Sequence, residues 1–107
     1  MNFHNVIVLE AARDDINEIY DYIAYELGNP IAATRLVLAF NAEIESLAYH
    51  PSSIALVYDE RLAARGYRRM IVGNYLIFFI VDEQNKLVEI ERILYGRRDW
   101  ANILTKP

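Results

Sequence analysis

Past its middle the chain turns from helical to strand spacing of its apolar residues, and that change constrains the fold more than any other feature. From about Ala11 to residue 50 these residues recur at helical spacing, and from residue 67 they alternate or run continuously, as strands require. Helical segments followed by a run of strands predict an α+β domain, with the helices gathered on a mainly antiparallel sheet.

From about Ala11, Ile16, Ile19, Tyr20, Ile23 and Leu27 share one face of an amphipathic helix. Gly28 stops it, and Asn29-Pro30 supplies an N-cap and a proline whose fixed φ suits a first helical position. The second helix carries the stripe Ala33, Leu36, Val37, Phe40, Ile44, Leu47 and Ala48. It ends near His50, because Pro51 disfavours helical geometry just before it. The pair therefore forms an antiparallel hairpin with a very tight turn.

Residues 5 to 9, NVIVL, read as a short opening strand, and residues 51 to 66, with Pro51, Ser52, Ser53 and Gly66, as a loop. Strands follow at 67 to 72, 75 to 81 and 86 to 95. Gly73-Asn74 and the segment from Asp82 to Asn85 are turns short enough to force antiparallel hairpins. Gly96 breaks the pattern, and a short closing helix from Arg97 to Leu104 brings Trp100, Ile103 and Leu104 to one side. The expected order is β-α-α-β-β-β-α: a helical hairpin packed on a mainly antiparallel four-stranded sheet, with a short C-terminal helix. With 107 residues, 54% of them hydrophobic, the chain has material for one core, and residues 1 to 107 read as a single domain.

Cysteine is absent, which excludes disulfides, thiolate ligands and a cysteine nucleophile. The only imidazoles, His4 and His50, lie far apart, so no metal site or cofactor is expected. The apolar run from Val6 to Leu9 is too short for a signal peptide or a membrane span, and the expected location is the cytoplasm, with no membrane partner. The net charge of −4 conceals a division. Residues 1 to 60 hold two basic side chains against ten acidic, a net of −8; residues 61 to 107 hold nine against five, a net of +4. An anionic partner belongs on the second half.

Some residues break the local pattern. In the last strand Val88, Ile90, Arg92 and Leu94 are expected on one face, and Leu87, Glu89, Glu91, Ile93 and Tyr95 on the other. Arg92 then stands where an apolar residue belongs, so it either makes a structural ion pair, with Glu43, Glu45 or Asp59 as candidate partners, or points into an anion-binding cleft. Arg68 and Arg69 leave opposite faces of their strand, and one of them is expected to share a face with Arg92. Tyr95, Gly96, Arg97 and Arg98 follow at the end of the last strand. Arg68, Arg69, Arg92, Arg97 and Arg98, all placed near strand ends, suggest a site for an anion or an acidic peptide. Asp14-Asp15 reads as a helix-start pair favouring the dipole, and Asp59-Glu60 as a solvated pair rather than a general base. Trp100, Tyr22 and Tyr25 read as core or interface aromatics.

Four segments in order, ARDDINEIYDYIAYELGNPIAA, IESLAYHP, GYRRMIVGNYLIFFIVDE and VEIERILYGRRDW, resemble toxins of the RelE/ParE superfamily, also known as plasmid-stabilisation proteins, over nearly the whole length. The resemblance implies a toxin of a type II toxin–antitoxin system that arrests growth, neutralised in a toxin–antitoxin hetero-oligomer by an antitoxin whose C-terminal segment wraps it. The superfamily holds both DNA gyrase inhibitors of the ParE kind and ribosome-dependent mRNA endonucleases of the RelE kind. For a nuclease, the matching catalytic positions are Arg69 (or Arg68), Arg92 and Tyr95, supplying cationic groups at the scissile phosphate and an acid–base group. Arg68, Arg97, Arg98 and Trp100 would bind antitoxin or target. The chain departs from the nuclease pattern in its acidic net charge, in lacking a lysine-rich second half and in having no histidine near the C-terminus. The long hairpin with its GNP turn resembles the ParE branch more closely, and gyrase is the target this implies.

Overall fold

The computed structural model describes residues 3 to 106. Strand β1 (Asn5–Val8) leads into helix α1 (Glu10–Asp21), which passes into a π-helical turn over Tyr22–Glu26. Helix α2 (Pro30–Ser46) returns antiparallel. A 3₁₀ turn at Pro51–Ser53 and helix α3 (Glu60–Ala64) precede β2 (Tyr67–Val72), β3 (Tyr75–Asp82) and β4 (Leu87–Tyr95), and helix α4 (Trp100–Thr105) closes the chain.

Gly28 adopts φ +64°, the left-handed conformation that glycine reaches most cheaply, and the Asn29 side chain accepts from the Ala32 N–H at 3.1 Å. The tight turn is thus built as expected. The first apolar stripe is not continuous, however. In the π-helical turn the Leu27 N–H bonds to the Tyr22 carbonyl, five residues back, at 3.0 Å. That wider turn rotates the chain beyond it, so Ala24 is buried while Leu27, expected on the core face, is exposed.

The sheet order is β1-β4-β3-β2, antiparallel across β4-β3-β2 and parallel between β1 and β4. One face packs on the hairpin through Ile77, Phe79, Val88, Ile90 and Ile93 against Ala12, Phe40 and Ile44. The other face, with Tyr67, Leu76, Phe78 and Leu94, packs against Val57, Leu62 and Leu104. Helices α3 and α4 touch one another beneath that face. Residues 51 to 66 are therefore not a plain loop. Asp59 accepts from the backbone N–H groups of Arg61 and Leu62 at 3.0 and 3.2 Å, so it is the N-cap of α3 rather than a freely solvated carboxylate.

The expected alternation of β4 also fails. Its register against β3 steps from Phe79↔Ile90 to Phe78↔Arg92, leaving Glu91 as the extra residue of a β-bulge. The bulge reverses the faces beyond it, so Ile93 joins Val88 and Ile90 over the hairpin and Leu94 goes to the opposite face.

Candidate functional site

Strand β1 pairs with β4 only as far as Val8↔Ile90, and α1 begins two residues later. Asp15, in the second turn of α1, meets β4 where β1 has run out. Its carboxylate accepts from Arg92 Nε at 2.7 Å, from Arg92 Nη2 at 2.9 Å and from the backbone N–H of Ile93 at 2.9 Å. Asp15 is 7% exposed, so this two-pronged pair works in a partly dry setting. The hydrogen bonding to Asp15 holds Arg92 more firmly protonated than usual, against the opposing effect of burial. Of the two sequence readings of Arg92, the structure adopts the ion pair, with a partner other than the three candidates. Asp15 lies past the first turn of α1, so it is a core ligand of Arg92 and not a helix-start acid. Its position, three residues after Ala12 and four before Ile19, already lay inside the apolar stripe.

Above this pair a cleft of about 1040 Å³ opens between the hairpin and the ends of β3 and β4. Asp15, Glu18, Tyr22, Leu27 and Leu36 line it from the hairpin, and Tyr75, Ile93, Tyr95 and Arg98 from the sheet. Tyr75 stands between two aromatic rings, with edge contacts to Phe40 and Tyr95 at 5.7 Å each. Burial, then the neighbouring Tyr95 and Tyr22, pushes the Tyr75 phenol up from its usual value. Gly96 lets the chain leave β4 close to the β2–β3 turn: its N–H donates to the Asn74 carbonyl at 2.8 Å, and a Cβ there would meet that oxygen at 3.2 Å.

The five arginines do not form one cluster. Arg98 lines the cleft, and Arg97 is exposed beside it, beyond the end of β4. Arg68 and Arg69 sit at the start of β2, which runs in the same direction as β4, so they lie toward the other end of the sheet. Arg69 shares the Arg69↔Phe78↔Arg92 rung, as expected for one of the two. Its guanidinium lies 5.9 Å from the ring centres of both Tyr58 and Trp100, and Trp100 rests on Phe78 at 5.3 Å. Arg68 donates to the carbonyls of Ser52 and Ile54 and pins the 3₁₀ turn. Arg65, not singled out by the sequence, caps the Leu104 carbonyl at 3.2 Å and lies over the Tyr67 ring. Among the described residues no group of three His, Asp or Glu side chains is placed to hold a metal ion, and no helix is long and apolar enough to cross a membrane.

A second polar knot ties the far end of the molecule. Glu83, in the β3–β4 turn, accepts from Ser52 Oγ, from His4 Nε2 at 3.0 Å and from Lys86 Nζ at 3.1 Å. These donors, Ser52 foremost, hold its carboxyl down to about 2. Nothing in the sequence spacing marked this junction.

Residues 6–100 match a protein family described as "ParE toxin of type II toxin-antitoxin system, parDE". A solved chain of the chromosomal ParDE toxin–antitoxin system from P. aeruginosa superposes with a TM-score of 0.71 at 21% identity, covering 89% of this chain and 98% of its own. A chain of the toxin–antitoxin complex RelBE2 from Mycobacterium tuberculosis superposes at 0.54 with 17% identity, covering 87% and 98%. At these identities the likeness is one of fold. No curated protein matches the sequence.

Proposed function

The chain belongs to the ParE toxin family of type II toxin–antitoxin systems, and from that premise we propose that it arrests growth by binding and poisoning DNA gyrase, without chemistry of its own, until a cognate antitoxin neutralises it. The observation that carries this reading is the state of Arg92. A nuclease arginine must reach a scissile phosphate, whereas this guanidinium is engaged on two nitrogens by Asp15. Of the other two matching positions only Arg69 shares the rung of Arg92, and its guanidinium turns to Tyr58 and Trp100 instead. Tyr95 shares the hairpin side of the sheet with Tyr75, while Arg69 lies on the opposite face with Trp100. Acid–base and phosphate groups must act on one reacting centre to contribute, so this dispersal favours inhibition by binding over cleavage.

Purified protein titrated into a supercoiling assay is expected to inhibit gyrase and to accumulate cleaved DNA. Undiminished supercoiling at a large excess over gyrase would overturn the proposal. The competing reading is a ribosome-dependent mRNA endonuclease, favoured by the cationic and aromatic surface of Arg69, Tyr58 and Trp100, on which RNA bases could stack. New mRNA 5′ ends in translating extract, lost in Arg69→Ala, would establish that alternative. Normal growth on induction of the soluble protein alone would instead mark an inactive antitoxin-binding module.

The antitoxin is expected to present an acidic, partly disordered segment that orders on the arginines at the end of β4, with Arg97 and Arg98 providing charge recognition. The other positions assigned to partner binding by the resemblance lie apart, Arg68 on the rung of Phe79 beside the 3₁₀ turn and Trp100 against Phe78 on the opposite face, and would take separate parts of that segment.

A further inference from the structure

The tip of the helical hairpin is apolar and aromatic where a solvent-facing helix end should be polar. Tyr22, Tyr25, Leu27 and Ile31 are 53%, 75%, 59% and 67% exposed, and they cluster along the chain around the turn. Two of them, Tyr22 and Leu27, are joined by the π-helical hydrogen bond, and this turn takes Leu27 off the core stripe. Such turns are rare and occur mostly as single interruptions, frequently at functional sites. The carboxylates of Glu18, Asp21 and Glu26, all exposed, stand among and just before these residues in the chain, against a single exposed cation, Arg35, one turn beyond Ile31. An aromatic, apolar centre with a charged rim has the anatomy of a protein–protein contact, in which tyrosines anchor and the rim sets the choice of partner.

We propose that this tip is the surface by which the toxin grips its target, and that the complementary patch on the target is apolar with a rim of lysine and arginine. The inference rests on the reading that the target is a protein. The acidic rim decides among occupants. A second copy of the chain would bring a like-charged rim against the first, and an acidic antitoxin segment or a polyanion would meet the same repulsion. A basic protein surface meets neither. The tip and the Arg97-Arg98 corner therefore divide the labour, one for target and one for antitoxin, on either side of the cleft that both Tyr22 and Arg98 line.

Two variants test this: Tyr25→Ser with Ile31→Ser, which removes the anchors, and Asp21→Lys with Glu26→Lys, which reverses the rim. All four residues are exposed, so circular dichroism and thermal melting should match the parent. Each is measured for growth arrest on induction, for gyrase inhibition, and for affinity to the purified antitoxin. The expected result is loss of growth arrest and a fall in gyrase inhibition of about 30-fold or more, with antitoxin affinity unchanged to within about twofold. Retention of full toxicity by both folded variants would overturn the assignment, as would loss of antitoxin affinity, which would make the tip the antitoxin's site. If the parent arrests growth without touching gyrase, the gyrase reading fails; the tip assignment still stands when the variants lose toxicity and falls when they keep it. A parent that does not arrest growth at all overturns both.

Discussion

Arg92 and Asp15 are joined by hydrogen bonds of 2.7 and 2.9 Å across 77 residues of chain, and the same carboxylate takes the N–H of Ile93. One side chain thus ties the first helix to both the side chain and the backbone of the last strand. A buried pair of this kind adds little over an apolar replacement, but breaking it on one side leaves an uncompensated charge.

Asp15→Ala should therefore lower stability by about 2 kcal/mol in urea unfolding, less than for a fully buried pair because the stranded Arg92 side chain is 29% exposed. Adding Arg92→Met to that variant should restore about half of the loss, because the stranded cation disappears while the Ile93 N–H stays unpaired. Strictly additive losses from the two substitutions would show that the residues act independently.

The Glu83 junction predicts an acid-side dependence. Donation from Ser52, His4 and Lys86 depresses its carboxyl from 4.5 to about 2, so between those values the unfolded chain binds more protons than the folded one. The contribution is complete above the ordinary carboxylate range and drains as pH falls toward about 2. Comparing urea midpoints of the parent and Glu83→Gln across this range should show a gap at neutral pH that closes in acid. A gap independent of pH would rule out the carboxylate as its source.

Glu91 predicts the opposite sign. Burial at the bulge, with Glu89 next in effect, raises its carboxyl, so the folded chain holds its proton to higher pH than the unfolded one. Stability then declines as pH rises from the ordinary glutamate value through the raised one. Glu91→Gln removes that decline, and its melting temperature should exceed the parent's at neutral pH and approach it in acid.

Replacing Arg97 and Arg98 by Glu should slow association with the antitoxin and weaken its affinity, most at low salt where screening is least. Both side chains are exposed beyond β4, so the melting temperature should not move. Association kinetics unchanged at low salt would place the antitoxin elsewhere on the surface.

The strands, their turns and the hairpin were legible because each is long enough to display a period or carries decisive turn residues, as Gly28, Asn29 and Pro30 do. What escaped was local and short. Helix α3 spans five residues, less than two turns, so no periodicity could announce it. The π-helical turn and the β4 bulge each insert one residue into a regular count, and a period read straight through them assigns Leu27, Ile93 and Leu94 to the wrong faces. The five arginines gather in the sequence because it places them at strand ends without stating which ends meet. The parallel relation of β2 and β4 separates Arg68 and Arg69 from Arg97 and Arg98. Tyr95 and Arg98 do line one cleft, as their closeness in the chain suggests, but the aromatic hairpin wall opposite them depends on packing that no local pattern encodes.

The parallel pairing of β1 with β4 also sets a time for the toxin's completion. Val6 lies beside Val88, about 80 positions along the chain, and among the described residues β1 has no other neighbour in the sheet. At synthesis rates of about 5–20 residues per second, the opening strand waits on the order of 4–16 s for that partner to be made. The long closure also places this step among the slower folding events. Until then Asp15 has no Arg92, and α1 lacks the strand it packs against. A nascent chain interrupted before β4 therefore lacks the strand that closes the cleft and anchors α1, so the interval between translation and a finished domain is written into the strand order itself.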